Sequence, residues 1–234
     1  PKIISEIGQR ELQVQGSQVE VDEGGTLHVS WIDFNAGTMR YTRSRDKGIS
    51  FESPKSIAPV VPLPYTPPNG NYRTPTMGDM DVNRTDGNRS GSVYIAWPDH
   101  ATGEADILFI ASYDGGDTWT TPARVNQDPV GNGCDQWFPA VSVAGDGSFQ
   151  VFYYDRRDSN NTLLTTYVSV SYDGGETFTD VRIGEELFDG DNTRGPFIGD
   201  YLAIDDGPGW SVMIWCDARD GSQGNPQSDI WMGI

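Results

Sequence analysis

The stretch Ser44-Arg-Asp46-Lys-Gly48-Ile-Ser50-Phe51 recurs twice along the chain. It returns as Ser112-Tyr-Asp114-Gly-Gly116-Asp-Thr118-Trp119 and as Ser171-Tyr-Asp173-Gly-Gly175-Glu-Thr177-Phe178. All three read Ser-x-Asp-x-Gly-x-Ser/Thr-aromatic. Upstream of each lies a strand-like alternation that ends in aromatic-x-Asp: Trp31-Ile-Asp33, Trp97-Pro-Asp99 and Tyr153-Tyr-Asp155. A fourth such ending, Trp215-Cys-Asp217, follows near the C-terminus. Self-similarity at a period of about 60 residues is the signature of a repeat architecture, in which one unit cannot bury its sheet faces alone and copies must stack.

Each unit parses into four strands. The first is short and apolar (19–21, 80–82, 140–143, 201–204), and the second ends in aromatic-x-Asp. The third leads into the box (39–43, 107–111, 165–170, 230–234), and the fourth follows it (55–58, 123–126, 181–183). Turn signals such as Asp22-Glu-Gly-Gly and Gly145-Asp-Gly separate strands one and two. The expected fold is an all-β propeller of four-stranded antiparallel blades, forming a single domain over 1–234. Its blade units span 16–58, 76–126, 138–183 and 199–234 plus 1–4. In that scheme Pro1-Lys-Ile-Ile4 resembles Pro54-Lys-Ser-Ile57 and completes the last blade beside 230–234, leaving no open sheet edge. The alternative is the C-terminal part of a propeller with more blades.

Within the box, the Asp and Ser side chains accept hydrogen bonds from turn N–H groups, and Gly supplies a positive φ. The aromatic packs beneath the hairpin. Ser44, Asp46, Gly48, Phe51, Ser112, Asp114, Gly116, Trp119, Ser171, Asp173, Gly175 and Phe178 are therefore expected to build the fold. They sit at the end of the molecule opposite the loops that leave strand two.

Composition narrows the partners. The net charge is −18, with 34 acidic residues against 16 basic ones. Nucleic acids and anionic membranes would be repelled. No run of 18 apolar residues exists to span a bilayer. The 28 Gly, 15 Pro and 11% aromatic residues suit short strands and tight turns, and no window holds a helical apolar period. The chain starts at Pro1 without a signal peptide, which is expected of a processed or excised form of a secreted protein, extracellular or periplasmic.

Repeated boxes of this kind resemble the Asp-box (BNR-repeat) propellers of the sialidase superfamily, at blade level over nearly the whole chain. Tyr72-Arg73-Thr74-Pro75 is similar to the [FY]-R-I-P motif of sialidases, whose Arg is one of three that clamp the substrate carboxylate. Thr74 departs from that motif, as does its place in the second unit rather than the first. Tyr154-Asp-Arg-Arg157 and Trp215-Cys-Asp-Ala-Arg219 look more like the wider Asp-box relatives.

Loops entering strand one and leaving strand two share the channel face, where a propeller gathers side chains from every blade. That face is expected to carry Asp33, Arg73, Asp99, His100, Asp135, Trp137, Asp155, Arg156, Arg157, Arg194, Asp217 and Arg219. Arg73, Arg157 and Arg219 come from three units, as a clamp on an anionic sugar requires, and Asp99 is placed as the acid. Tyr65, Tyr72, His100, Asp135, Trp137, Arg156 and Arg194 are placed as ligand-binding, with Tyr65 and Tyr72 available to stack on a sugar. The competing reading takes Asp155/Arg157 and Asp217/Arg219, with their shared Asp-x-Arg spacing, as ion pairs that tie each loop to its own blade.

Cys134 and Cys216 fall on the same face, open to a disulfide or to two buried thiols, and nothing resembles a thiolate metal site. No cofactor is required. Asp189-Gly-Asp-Asn192 and Asp81-Val-Asn-Arg-Thr-Asp86 have the flavour of calcium loops without the full EF-hand pattern, so structural calcium stands beside plain polar turns. Two functions remain: a module binding glycan or protein, in which oligomerisation or assembly has a place, and an exo-acting sialidase-like glycoside hydrolase.

Overall fold

The computed structural model describes Ile4, residues 13–193, Gly195, residues 197–222 and residues 224–234. Among these residues fifteen strands form four antiparallel sheets, each in sequence order. Sheet one holds β1 (Val14–Val21), β2 (Leu27–Asp33), β3 (Thr38–Ser44) and β4 (Lys55–Pro59). Sheet two holds β5 (Asp79–Val82), β6 (Val93–Asp99), β7 (Asp106–Ser112) and β8 (Ala123–Arg124). Sheet three holds β9 (Gln136–Val143), β10 (Phe149–Asp155), β11 (Thr165–Ser171) and β12 (Thr179–Arg182). Sheet four has three strands among the described residues: β13 (Ala203–Gly207), β14 (Trp210–Asp217) and β15 (Asp229–Gly233). The strand expected from Pro1–Ile4 lies outside the described residues except for Ile4, which belongs to no strand. Among the described residues helix is confined to two single 3₁₀ turns, Arg157–Ser159 and Gly190–Asn192.

Each aromatic-x-Asp ending has a local mechanism. The Asp side chain accepts from a backbone N–H two residues on, which closes an Asx turn and stops the strand. Asp33 takes Asn35 at 3.1 Å, Asp99 takes Ala101 at 2.9 Å, Asp155 takes Arg157 at 2.7 Å and Asp217 takes Arg219 at 2.8 Å. The indoles of Trp97 and Trp215 also donate to the Asp two positions later, at 3.1 and 3.2 Å.

Three apolar layers lie between successive sheets. Ile32 and Met39 meet Met80, Val82, Ile95 and Trp97 between sheets one and two. Tyr94 and Phe109 meet Val141, Phe149 and Val151 between sheets two and three. Phe152, Tyr154 and Val168 meet Met213 and Trp215 between sheets three and four. Strands β6 and β10 are therefore buried along their whole length. The first strands of successive sheets also touch: β1 on β5, β5 on β9 and β9 on β13. Asp79 and Asp81 of β5 accept the N–H groups of Val141 and Val143 of β9, at 2.8 and 2.7 Å. Sheets stacked face to face with their first strands innermost are the blades of a β-propeller.

The three Ser-x-Asp-x-Gly turns share one bonding scheme. In the second, Ser112 Oγ donates to Asp114 (2.8 Å) and accepts from Gly116 N–H (2.7 Å). Asp114 also accepts the N–H and hydroxyl of Thr118 at 2.8 and 2.6 Å. Ser44, Asp46 and Ser50 repeat the scheme in the first turn, and Ser171, Asp173 and Thr177 repeat it in the third. These donors, with the Ser50 and Thr118 hydroxyls foremost, hold the Asp46 and Asp114 carboxyls down at about 2. The Asp173 carboxyl is lowered in the same way by Thr177.

The turns also do something absent from the sequence reading: each later turn is seated on the preceding sheet. Gly116 (φ 92°) lies against Tyr41 of β3, where a Cβ would come within 2.1 Å of the phenol oxygen. Gly175 (φ 100°) lies against Phe109 of β7, where a Cβ would come within 2.4 Å of the ring. The box aromatics follow, Trp119 edge-on to Tyr41 at 4.9 Å and Phe178 edge-on to Phe109 at 5.2 Å. Arg43 of β3 donates to Gly115 O and to Asp117 in the second turn. Tyr113 donates to Gly174 O in the third turn at 2.9 Å.

Two outcomes follow. Gly116→Ala combines a left-handed backbone with a clash and should lower the unfolding free energy by about 2–4 kcal/mol. Gly115→Ala, with φ 67° and open space around it, should cost only about 1–2 kcal/mol in the same urea titration. Carboxyls with depressed pKa stabilise the fold above the unfolded value and lose that contribution as they are protonated. Acid unfolding between about pH 4 and pH 2 should therefore be blunted in Asp114→Asn, as followed by near-UV circular dichroism.

Candidate functional site at the channel mouth

The loop joining β4 to β5, residues 60–78, crosses the channel face. It leaves sheet one, takes an Asp99 carboxylate on Val61 N–H (2.9 Å), and gives Val61 O to His100 N–H (2.9 Å). Next it reaches sheet three, where Arg156 donates to Pro68 O (2.6 Å) and Asn69 O (3.2 Å). Finally it meets the segment before sheet four. There Asn71 donates twice to Asp191, at 2.7 and 2.9 Å, and Arg73 pairs bidentately with Asp200 through its Nε and Nη2.

Beside this loop a pocket of about 460 Å³ opens at the centre of the sheets. Its walls come from all four units: Ser17 and Gln18 of β1, Met77 to Asp79, Phe138 and Pro139 of β9, and Asp200 to Leu202. Tyr201 is exposed at its rim. Burial raises the Asp79 carboxyl to about 6, with the nearby Asp81 and Glu20 charges adding to the effect. Phe138 holds a φ of 54° at the bulge in the β9–β10 register. A left-handed aromatic residue is strained, and such strain collects at functional sites. A second groove, of about 870 Å³, runs at the opposite end between sheets three and four, beside Tyr172 and Trp210.

The sequence-derived residues distribute unevenly over this geometry. Arg73 stands at the pocket, paired with Asp200 and stacked over Phe197 at 4.8 Å. Tyr65 is exposed nearby. Tyr72 and Trp137, expected as platforms, are fully buried with ring centroids 6.0 Å apart. Gly190 closes on the Tyr72 ring so tightly that a Cβ would come within 2.4 Å. Arg156 is fully buried too, with its two Nη groups donating to the carbonyls of Pro68, Asn69 and Thr162 and its Nε without a hydrogen-bond partner. These three fasten the loop. Asp135 is likewise buried, between Ala105 N–H and Asn161.

Asp99 is engaged by Trp97, Val61 and Ala101, so its lack of an Arg two positions on does not leave it free. Arg157 is held by Asp155 and Asp180 and lies over Tyr167 at 4.3 Å. Arg219 is held by Asp217 and lies over Trp231 at 3.9 Å. Arg73, Arg157 and Arg219 share no partner, and the last two follow the ion-pair reading, each in its own sheet. His100 is half-buried, and Arg194 lies outside the described residues. Cys134 and Cys216 are free thiols, not a disulfide.

Of the calcium-like segments, Asp191 is occupied by Asn71, and Asp81 by Val143 and Arg84. No group of three or more metal-ligating side chains occurs among the described residues. No helix among them is long and apolar enough to cross a membrane.

The pocket residues Gln18, Asp79, Phe138, Asp200 and Tyr201 were not singled out by sequence. The one available signal was the Asp79-Met-Asp-Val82 alternation, which puts carboxylates on an innermost strand.

No family model matches the chain, and no curated protein is significantly similar to it. Solved structures with the same fold are found. A Penicillium chrysogenum α-L-arabinanase complexed with arabinobiose superposes with a TM-score of 0.57 at 18% identity, covering 94% of this chain and 61% of that one. A Hadza microbial sialidase gives 0.56 at 13% identity, covering 94% and 44%. The GH93 α-L-arabinofuranosidase of Fusarium graminearum with arabinobiose gives 0.54 at 17%, covering 98% and 63%. The chain thus has the fold of these carbohydrate-active propellers and spans about half to two thirds of their length.

The Asp79 carboxyl gives a signature opposite to that of the turn carboxyls. Because burial raises its pKa, its stabilising contribution is complete below the unfolded value near 4 and is lost as pH rises towards 6. Asp79→Asn should therefore gain stability over the parent at pH 7 and not at pH 4, read by urea denaturation at both.

Proposed function

We propose that the chain is a secreted Asp-box β-propeller of the sialidase-like superfamily that binds carbohydrate in the pocket at its channel mouth. The observation that carries this reading is the pocket itself. Its volume of about 460 Å³, with walls drawn from all four units, falls in the range of small-ligand sites. It offers hydroxyl-binding groups in Ser17, Gln18, Asp79 and Asp200, and an exposed ring in Tyr201 for stacking on a sugar face. Secretion agrees with the glycan ligand, and neither requires a cofactor.

The charge pattern favours a neutral sugar over a sialoside. Arg73 is the guanidinium beside the pocket, and Asp200 already occupies its Nε–Nη2 edge. The acidic side chains of the pocket lining are the carboxyls Asp79 and Asp200, and the lining holds no Lys or Arg. A sugar carboxylate entering there would face the like charge of these two carboxyls.

One observation favours catalysis as a second reading. Asp79, raised to about 6, keeps a proton to higher pH than an ordinary carboxyl, as a glycosidic general acid must. Asp200, ion-paired across the pocket, would be the second carboxyl of such a pair.

Calorimetric titration tests the binding reading, with arabinobiose as the neutral probe and sialyllactose as the anionic one. Binding of the neutral probe is expected, weakened about tenfold or more by Tyr201→Ala. Preference for sialyllactose, or indifference to Tyr201→Ala, would overturn it. Release of arabinose by the parent but not by Asp79→Asn would support catalysis.

A further inference from the structure

The two limbs of the channel-face loop are tied across from one another. Thr76 Oγ1 accepts the N–H of Leu63 at 2.8 Å. Thr74 gives its N–H to Tyr65 O at 2.8 Å and its hydroxyl to Pro64 O at 3.1 Å. Burial alternates along the returning limb: Tyr72, Thr74, Thr76 and Gly78 are buried, whereas Arg73, Pro75, Met77 and Asp79 are half-buried. A period of two is that of extended backbone, so the second four share one outward side. Met77 and Asp79 line the pocket. Arg73 lies six residues before Asp79, up to about 20 Å along an extended chain, beside the pocket rather than in its lining.

At Arg73 an ion pair stands between two exposed rings. Its guanidinium pairs with Asp200, and the next residue, Tyr201, is 75% exposed on the pocket side. On the other side lies Tyr65, which is 68% exposed and whose backbone is fixed by Thr74. The Arg73 pKa is raised by Asp200 first and by Tyr65 after it, which puts the phenol beside the ion pair. The Phe197 ring lies 4.8 Å from the guanidinium and keeps it in place. Exposed rings offer apolar faces to a sugar, and a charged pair between them offers both a donor and an acceptor to its hydroxyls.

A sugar in the pocket uses Tyr201 and leaves Tyr65 unused beyond the ion pair. Yet the limb that carries Tyr65 is held stiffly. Pro62, Pro64, Pro67 and Pro68 restrict its backbone, and the buried Arg156 grips it at Pro68 O and Asn69 O. An exposed ring on so rigid a limb is a preorganised platform, which binds without first paying to be ordered. We propose that the binding site continues from the pocket across the Arg73–Asp200 pair to Tyr65, and that its ligand is a neutral oligosaccharide. One sugar unit lies in the pocket and another stacks on Tyr65. This rests on the carbohydrate-binding reading of the pocket and adds a second subsite to it. The cation at that subsite is Arg73, already paired with Asp200, so the second unit is neutral like the first.

Calorimetric titration with arabinobiose, arabinotriose and arabinotetraose reads the length of the site. Affinity should rise about tenfold or more from the shortest probe to the longest, because a unit at Tyr65 is tethered to one already held in the pocket. Tyr65→Ala should abolish that rise, so that the variant binds the three probes alike. Tyr65 is exposed, so circular dichroism and thermal unfolding of the variant should match the parent. Affinity independent of chain length in the parent, or a rise that survives Tyr65→Ala, would overturn the second subsite, while binding of arabinobiose would keep the pocket reading intact. Failure of all three probes to bind would sink the neutral-sugar reading itself, and the second subsite with it.

Discussion

Each hairpin turn after the first rests on the sheet before it, and the order of the molecule depends on that contact. A four-stranded sheet has two faces to cover, and apolar layers alone would let neighbouring sheets slide or rotate against one another. Gly116 against Tyr41 and Gly175 against Phe109 fix both spacing and register, because no side chain fits between turn and ring. The Asp carboxylate inside each turn keeps the glycine in its left-handed conformation through the serine and threonine donors. The turn is therefore shaped locally and used between sheets. This also gives the stack a direction, with a turn on one side of every interface and an aromatic seat on the other.

The scaffold was legible in the sequence because it is repeated. The second and third strands of all four units, the three turns and the Asx-closed strand ends could be read from the recurrence of their residues. The seat was less legible, since Tyr41, Phe109 and Val168 occupy one structural position with three different side chains. First-strand limits also drifted. The strand expected at 140–143 begins at Gln136, and the one expected at 201–204 begins at Ala203, because a bulge and a loop respectively shift the pairing.

The site was legible only in part, for reasons of charge and burial. Arginines in Asp-x-Arg spacing looked available for an anionic ligand, yet Arg157 and Arg219 answer carboxylates of their own sheets and stack on their own aromatics. Trp137, Tyr72 and Arg156 carry the chemistry of ligand platforms, but the long loop presses them into the interior as its anchors. What lines the pocket instead is unrepeated: Gln18, Asp79, Phe138, Asp200 and Tyr201 recur in no motif. The partner of Arg73 is 127 residues away in sequence, beyond the reach of any local pattern. Repetition reveals a scaffold, whereas a binding site lies where the repeats differ.

A double-mutant cycle across one seat tests whether the turns hold the sheets together. Tyr41→Ala, Gly116→Ala and the double variant would be compared with the parent by urea denaturation. If the turn is seated on the ring, removing Tyr41 makes room for the alanine Cβ. The two changes together should then cost less than their sum by about 1–3 kcal/mol. Additivity within about 0.5 kcal/mol would mean that turn and ring do not bear on each other, and the account of how the sheets are ordered would fail.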